Sequence, residues 1–234
     1  MTDADRGSRF FAAWAMVVAL LAATATTGAR ANLLKDGGFE TPVIGTATFL
    51  DIVVGAEPAG FDWTVTTNGV DIISQGVLGQ TAALFEGGQA LDLVGVGNTG
   101  GLAQSFASSV GQHYTLSLAY SNNPFSGTSA SAHVAISDGA LALWSADITH
   151  AGALPANLFW NRLTADFVGN GHLLTLSFLN TMGGNNGGIY LDAASVDLAA
   201  VPEPQTLPLL VIGIAGVAGG VVRQRRQALA GEGR

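Results

Sequence analysis

The stretch His113-Tyr114-Thr115-Leu116-Ser117-Leu118-Ala119-Tyr120 repeats with a period of two residues. Successive side chains of an extended chain point to opposite faces. Tyr114, Leu116, Leu118 and Tyr120 therefore fall on one side, and His113, Thr115, Ser117 and Ala119 on the other. Such a segment buries one face as a strand in a sheet. The same alternation returns in Leu174, Leu176 and Phe178 against Thr175 and Ser177. Shorter strand candidates are Trp63 to Thr67, Ala90 to Val94, Ala132 to Ser137, Leu141 to Ala146, Leu163 to Val168 and Tyr190 to Leu198. Turn-forming clusters separate them: Gly95 to Gly101, Ser121 to Ser129 and Gly183 to Gly188. Glycine supplies 32 of the 234 residues, about twice its usual share. No segment between residues 32 and 200 carries a long apolar helical period. Many short strands joined by glycine-rich turns predict an all-β sandwich or barrel.

Charge divides the chain into three parts. Between residues 32 and 200 the only basic residues are Lys35 and Arg162, against 13 of the 17 acids, a formal charge of −11. The body is thus an acidic domain, which excludes nucleic acid as a partner, because phosphate contacts need clustered Lys and Arg. With 48% apolar and 11% charged residues, the chain is too hydrophobic for intrinsic disorder. It contains no cysteine. That excludes a disulfide framework, thiolate metal sites and thiol catalysis.

The remaining basic residues sit at the two ends. Arg6 and Arg9 precede an apolar run from Phe10 to Ala25, and Ala29-Arg30-Ala31 forms a small-x-small cleavage pattern. Residues 1–31 are therefore expected to be a removed secretory signal peptide. At the other end Val201-Pro202-Glu203-Pro204 leads into the apolar segment Leu207 to Val222, followed at once by Arg223, Arg225 and Arg226. That segment is marginal in length for a transmembrane helix. The arginines would hold its C-terminal end in the cytoplasm.

The tail, residues 201–234, resembles the PEP-CTERM sorting signal of Gram-negative bacteria: Pro202-Glu203-Pro204, then an apolar helix over 207–222, then the basic cluster. The resemblance implies processing by an exosortase, a membrane-embedded cysteine protease. A transient inner-membrane stage would precede release to the outer membrane, cell surface or extracellular matrix, often in hosts that make exopolysaccharide and biofilm.

Residues 32–200 resemble a second family. The carrying blocks are Asn32-Leu33-Leu34-Lys35-Asp36-Gly37-Gly38-Phe39-Glu40-Thr41-Pro42, Phe61-Asp62-Trp63-Thr64-Val65, Val70-Asp71-Ile72 and Gln89-Ala90-Leu91-Asp92-Leu93. They continue through Gly101-Leu102-Ala103-Gln104-Ser105-Phe106, Gly111 to Ser117 and Tyr190-Leu191-Asp192-Ala193-Ala194-Ser195-Val196. In this order they look like the DUF642 group and its "choice-of-anchor C" relatives, with a galactose-binding-like fold. Plant members carry two such domains where this chain has one, and the closing block often has a second polar residue where Ala193 stands. The resemblance implies a single jelly-roll β-sandwich of eight strands, extracellular, binding carbohydrate or cell-wall polysaccharide without catalysis.

Motifs for chemistry are sparse. Gly95-Val96-Gly97-Asn98-Thr99-Gly100 fits G-x-G-x-x-G, but a dinucleotide site needs a helix to open there. Leu102 to Phe106 reads as strand, so a turn is expected. His113, His133, His150 and His172 have no metal-ligand spacing and read as solvent-facing strand or loop residues. No G-x-S-x-G elbow is present. Acid pairs such as Glu86 and Asp92 are what a glycosidase needs, but separation in space is not readable from the sequence.

Sugar-binding jelly rolls commonly hold a structural calcium where the first and last strands meet. Glu40 in the opening block and Asp192 in the closing block are the expected ligands, with backbone carbonyls completing the shell. Among the aromatics, Trp63 and Tyr114 sit in apolar alternation and read as core. Phe125, in the polar loop Ser121 to Gly127, and Trp160, beside Asn157 and Asn161, are the expected sugar contacts. Asn122 and Asn123 would supply hydrogen bonds. The expected function is therefore an exported polysaccharide-binding protein that is not an enzyme. The alternatives are a self-associating biofilm matrix protein without a defined glycan, and a polysaccharide-active enzyme.

Overall fold

The computed structural model describes residues 31–95 and 97–199. The expected signal peptide lies outside the described residues up to Arg30. So does the sorting tail, with Pro202, Glu203, Pro204, Arg223, Arg225 and Arg226.

Ten antiparallel strands build the domain: β1 (Phe49–Val53), β2 (Thr64–Ser74), β3 (Gln89–Asp92), β4 (Gly100–Ala107), β5 (His113–Asn122), β6 (Ser129–Asp138), β7 (Leu141–Ala151), β8 (Asn161–Val168), β9 (Leu173–Met182) and β10 (Ile189–Leu198). Their order is β7-β6-β9-β4-β2-β3-β10-β5-β8, with β1 added beside β2. β2 is long enough to serve two layers. Thr64 to Asn68 pair with β4, while Gly69 to Ser74 pair with β1 and β3. The chain thereby folds into a jelly-roll β-sandwich, one layer β7-β6-β9-β4-β2 and the other β2-β3-β10-β5-β8. Ten strands are present where the resemblance implied eight. Part of the difference is the short β1, whose exposed Phe49 and Val53 hide its strand signal.

The core lies between the layers, and the period of two decides which residues enter it. Ile72 and Val70 of β2, Leu91 of β3, Ile189 and Leu191 of β10 and Leu116 and Leu118 of β5 point inward. Leu176 and Phe178 of β9 and Val134 and Ile136 of β6 meet them from the other layer. Trp63 and Tyr114 are core residues, as expected. Trp63 packs between Phe39 (5.4 Å) and Phe178 (6.0 Å), and Tyr114 stacks on Phe167 at 5.4 Å.

The opening segment closes the sandwich along β10. Leu33 N–H donates to Val196 O (2.9 Å), Ala194 N–H to Gly37 O (2.8 Å), and the Asn32 side chain bridges Ala194 O and Val196 N. First and last blocks therefore do meet. A side chain at Gly37 would collide with Ala194 O, so only glycine permits this approach. All ten strands lie within residues 30–199, a compact unit of its own.

A second apolar cluster sits on the opposite face of the β2-β3-β10-β5 layer. Ile73, Ala90 and Tyr190, each one residue out of phase with the core, are covered there by Val77, Ala82 and Leu84 from one loop and Ala153 and Leu158 from another. The two loops are tied together by Thr81 and Ala82 N–H donating to Pro155 O. This cover stops short of β1, and the uncovered end of the face is a cavity.

Candidate functional site

Strand register sets the floor of that cavity. Asp51 on β1 pairs with Asp71 on β2, Asp71 pairs with Asp92 on β3, and Asp92 pairs with Tyr190 on β10. Direct antiparallel partners point to the same face. Residues up to 139 positions apart in the chain, Asp51 and Tyr190, thus form one row. The cavity beside it holds about 230 Å³. Asp71, Asp92 and Tyr190 line its base; Phe49, Val77 and Leu78 form an apolar rim; Asn123, Asn186 and Gly95 close the far wall. Phe49 and Leu78 are among the more exposed large apolar side chains, at 49% and 64%.

The two lining carboxylates are differently held. Asp92 is buried and fully engaged. Its Oδ1 accepts from Val94 N (3.0 Å) and Gly188 N (2.9 Å), and its Oδ2 from Asn123 Nδ2 (2.7 Å). Burial nevertheless outweighs these bonds and pushes its pKa up to about 7. Asp71 is also raised to about 7, by burial and then by the neighbouring Asp51. Unlike Asp92, its Oδ1 is buried with no hydrogen-bond partner. Gly95 makes this crowding possible, because a Cβ there would lie 2.7 Å from both Asp51 Oδ1 and Asp71 Oδ1.

The far wall is built by three loops. Asn186, at φ 56, donates its N–H to Gly97 O (2.6 Å) and accepts Gly97 N–H on Oδ1 (3.0 Å). Ser126 Oγ donates to Asn185 O (2.8 Å). Phe125 is half-exposed in the same loop, its N–H bonded to Asn123 Oδ1.

The residues singled out from sequence are distributed as follows. Phe125 and Asn123 belong to the loop at the cavity. Asn123 is buried, its amide turned to Asp92. Asn122 is also buried, its Nδ2 donating to Asn123 O, its Oδ1 accepting from Ala153 N–H and its backbone N–H donating to His150 Nδ1. It holds the chain together and has no free polar atom for a ligand. Trp160 packs against the second apolar cluster and edge-on to Phe85 (6.0 Å), and Arg162 caps that ring at 4.8 Å. It lies on β8's side of the face, away from the cavity lining. His150 corrects the reading of all four histidines as solvent-facing. It is buried, with Nε2 donating to Phe159 O (2.8 Å). The G-x-G-x-x-G segment runs into β4, as its strand pattern suggested, because Gly100 lies against Leu93 O.

Glu40 and Asp192 converge on one loop. Glu40 Oε1 accepts from Gly88 and Gln89 N–H, and Asp192 Oδ2 accepts from Phe85 and Glu86 N–H. Asp192 is buried and pushed up to about 7, chiefly by desolvation and also by Glu86. Among the described residues no three acidic or histidine side chains are grouped to hold a metal. A calcium here would need backbone carbonyls and water as its remaining ligands.

The family profile described as "Protein of unknown function (DUF642)" matches residues 32–191. The chain belongs to the DUF642 family. A PEP-CTERM protein-sorting motif matches residues 200–226 of this DUF642 protein. That motif marks an exported protein sorted by way of the membrane. Among curated proteins none matches the chain. Solved structures similar to the DUF642 domain include the complex of TmCBM61 with β-1,4-galactotriose, with TM-score 0.46 at 13% identity, covering 72% of this chain and 99% of that one. They also include the CBM22-1 xylan-binding domain of Paenibacillus barcinonensis Xyn10C, with TM-score 0.41 at 13% identity, covering 65% and 95%. A third is a family 35 carbohydrate binding module from Clostridium thermocellum, with TM-score 0.40 at 14% identity, covering 64% and 99%.

Proposed function

We propose that this DUF642 domain is a non-catalytic glycan-binding module, exported and processed at its tail, with the cavity beside Asp71 as its binding site. The observation that carries the reading is the pairing of chemistries there. An apolar rim of Phe49 and Leu78 offers the C–H face of a pyranose a surface, and the buried Asp71 Oδ1 is an acceptor without a donor. Sugar hydroxyls both donate and accept, so they can pair with Asp71 whether or not it carries its proton. A buried polar atom left unsatisfied in a native fold is itself a reason to look for a missing partner. The same geometry argues against a glycosidase. Two acids stand side by side, but both oxygens of Asp92 are occupied by protein donors, which leaves it unfit to serve as base or nucleophile.

The experiment is titration of the 32–200 fragment, which contains every strand and both apolar clusters, with a panel of polysaccharides. Saturable binding lost in Phe49→Ala supports the reading. A folded fragment that binds none of them moves the function to a structural matrix component.

For the tail, the reading is cleavage by an exosortase and delivery to the cell surface or matrix. Replacing Pro202-Glu203-Pro204 with alanines then traps the protein in the inner membrane, and unaltered release contradicts it. We also propose a structural Ca²⁺ held by Glu40, Asp192 and nearby carbonyls. What supports it is a buried carboxylate at Asp192 that forms no ion pair among the described residues.

A further inference from the structure

We propose that the end of the sandwich at which β10 finishes is a membrane-facing surface, held against the outer leaflet of the inner membrane while the sorting tail anchors the protein. This rests on the reading of the tail as a membrane anchor before cleavage, and is independent of the glycan site.

Strands β4, β6, β8 and β10 finish at this end, and β5, β7 and β9 start there. Their connections are tied into one platform. Ser108 N–H donates to His172 O (3.1 Å), Gly111 N–H to Gly169 O (2.8 Å) and Gly169 N–H to Gln112 O (2.8 Å). Asn170 Nδ2 donates to Asp138 Oδ2 (2.9 Å), which also pairs with His172 Nδ1 (2.6 Å). Gly171 admits the tip of the β4–β5 loop, since a Cβ there would lie 2.6 Å from Val110 Cγ2. On this braced platform Val110, Leu141 and Leu173 are 81%, 67% and 65% exposed. Apolar side chains grouped on a rigid exposed surface mark an interaction site.

The chain itself says what covers them. Residues Ala199 to Thr206 separate β10 from the apolar segment that begins at Leu207, and fully extended they reach at most about 30 Å. Asn32, which follows the expected signal peptide, is fixed beside the same end of β10. Its Nδ2 donates to Ala194 O (2.9 Å) and its Oδ1 accepts from Val196 N–H (2.9 Å). Both membrane-directed segments therefore join the domain at one end. A tail inserted in the bilayer keeps that end within reach of the lipid headgroups, where Val110, Leu141 and Leu173 leave water.

Charge favours the same orientation. Residues 108–113, 139–141 and 168–173 contain no acid, although the body carries 13. Asp138 borders them and is held by His172 and Asn170; Asp166 and Asp197 stand next along β8 and β10, opposite Thr115. An anionic leaflet repels an acidic body, and this end meets it with the least opposition. The cavity beside Asp71 lies at the far end of β5 and β10, about 30 Å away by the rise of a ten-residue strand. The docked domain thus keeps its cavity open to the periplasm.

The chain has no cysteine, so a single introduced thiol reports one position. The experiment reconstitutes residues 32–234 in vesicles of phosphatidylethanolamine and phosphatidylglycerol, with one fluorophore at Val110→Cys, Leu173→Cys, Leu78→Cys at the cavity rim, or Ala215→Cys in the tail. Nitroxide on the acyl chains is expected to quench Ala215→Cys. Nitroxide on the headgroups is expected to quench Val110→Cys and Leu173→Cys severalfold more than Leu78→Cys. Adding Val110→Asp and Leu141→Asp removes the quenching at Leu173→Cys, while the melting temperature and the quenching at Ala215→Cys are retained. Equal quenching at the two ends of the domain, with the tail inserted, overturns the orientation and leaves the anchor reading standing. An unquenched Ala215→Cys overturns the anchor reading and the orientation with it. Energy transfer between copies labelled at Val110→Cys, without headgroup quenching, assigns the surface to a second copy of the chain and overturns the membrane as its partner.

Discussion

Asp71 and Asp92 are direct cross-strand partners on β2 and β3, yet one is fully satisfied by the protein and the other is not. Asp92 is an anchor: Val94, Gly188 and Asn123 all donate to it. Asp71 keeps one oxygen without a partner. The two substitutions should therefore separate. Asp92→Ala orphans three buried donors and is expected to cost roughly 2–5 kcal/mol in denaturant unfolding. Asp71→Asn removes a strained charge. It is expected to change stability by less than about 0.5 kcal/mol or to raise it, while weakening glycan binding at least tenfold. The reverse assignment of effects contradicts these roles.

The same pair sets a pH dependence. Both carboxylates are held up near 7, so between roughly pH 4 and pH 7 the folded state keeps protons that the unfolded chain has released. The stability this supplies is complete below the unfolded pKa near 3.8 and is lost as pH rises through about 7. Asp138, lowered mainly by its hydrogen bond from His172, acts in the opposite sense but below this window. The melting temperature of the 32–200 fragment is expected to be higher at pH 5 than at pH 8, by several degrees at about 2–4 °C per kcal/mol. Asp71→Asn removes its share of the slope and leaves that of Asp92 and of Asp192, which is also raised to about 7. A melting temperature that climbs steadily from pH 5 to pH 8 contradicts the assignment.

What the sequence reveals and what it hides follow from the range of each signal. The alternation in His113 to Tyr120 reports β5 directly, because period two is local. Trp63 and Tyr114 are readable as core for the same reason. β1 is missed because Phe49, Asp51 and Val53 face outward, so its apolar content gives no alternation. The cavity is invisible in the sequence. Asp51, Asp71, Asp92 and Tyr190 come together only through the register of four strands. His150 reads as a surface histidine because nothing near it in sequence shows that Asn122 and Phe159 enclose it. The loop at Asn122 to Phe125 is legible through its polar composition. Composition does not distinguish a side chain that faces a ligand from one that braces the loop.

Calcium gives a prediction independent of the cavity. If Glu40 and Asp192 hold Ca²⁺, millimolar Ca²⁺ raises the melting temperature of a chelator-treated sample, since a ligand bound only to the folded state stabilises it. Asp192→Asn abolishes the response. A melting temperature unmoved by EDTA and by added Ca²⁺ contradicts the site.

Phe125 and Trp160 are expected to part company. Phe125 is 39% exposed in the loop whose Asn123 lines the cavity. Phe125→Ala should weaken glycan binding severalfold with little change in stability. Trp160 packs on Phe85 and on the second apolar cluster, its Nε1 donating to Ala83 O. Trp160→Ala should lower stability by about 1–3 kcal/mol, below the loss for a fully buried tryptophan, and leave affinity nearly unchanged. A fall in melting temperature for Phe125→Ala would place that ring in the packing instead.

The most direct test of the central claim is to map the ligand onto the fold by backbone amide chemical shifts of the 32–200 fragment, titrated with the tightest glycan of the panel. Saturable shifts concentrated at Phe49 to Asp51, Asp71 to Ile73, Val77 to Leu78, Gly95, Asn123 and Asn186 are the expected result. Shifts confined to the opposite layer, at β6, β7 and β9, would contradict the account.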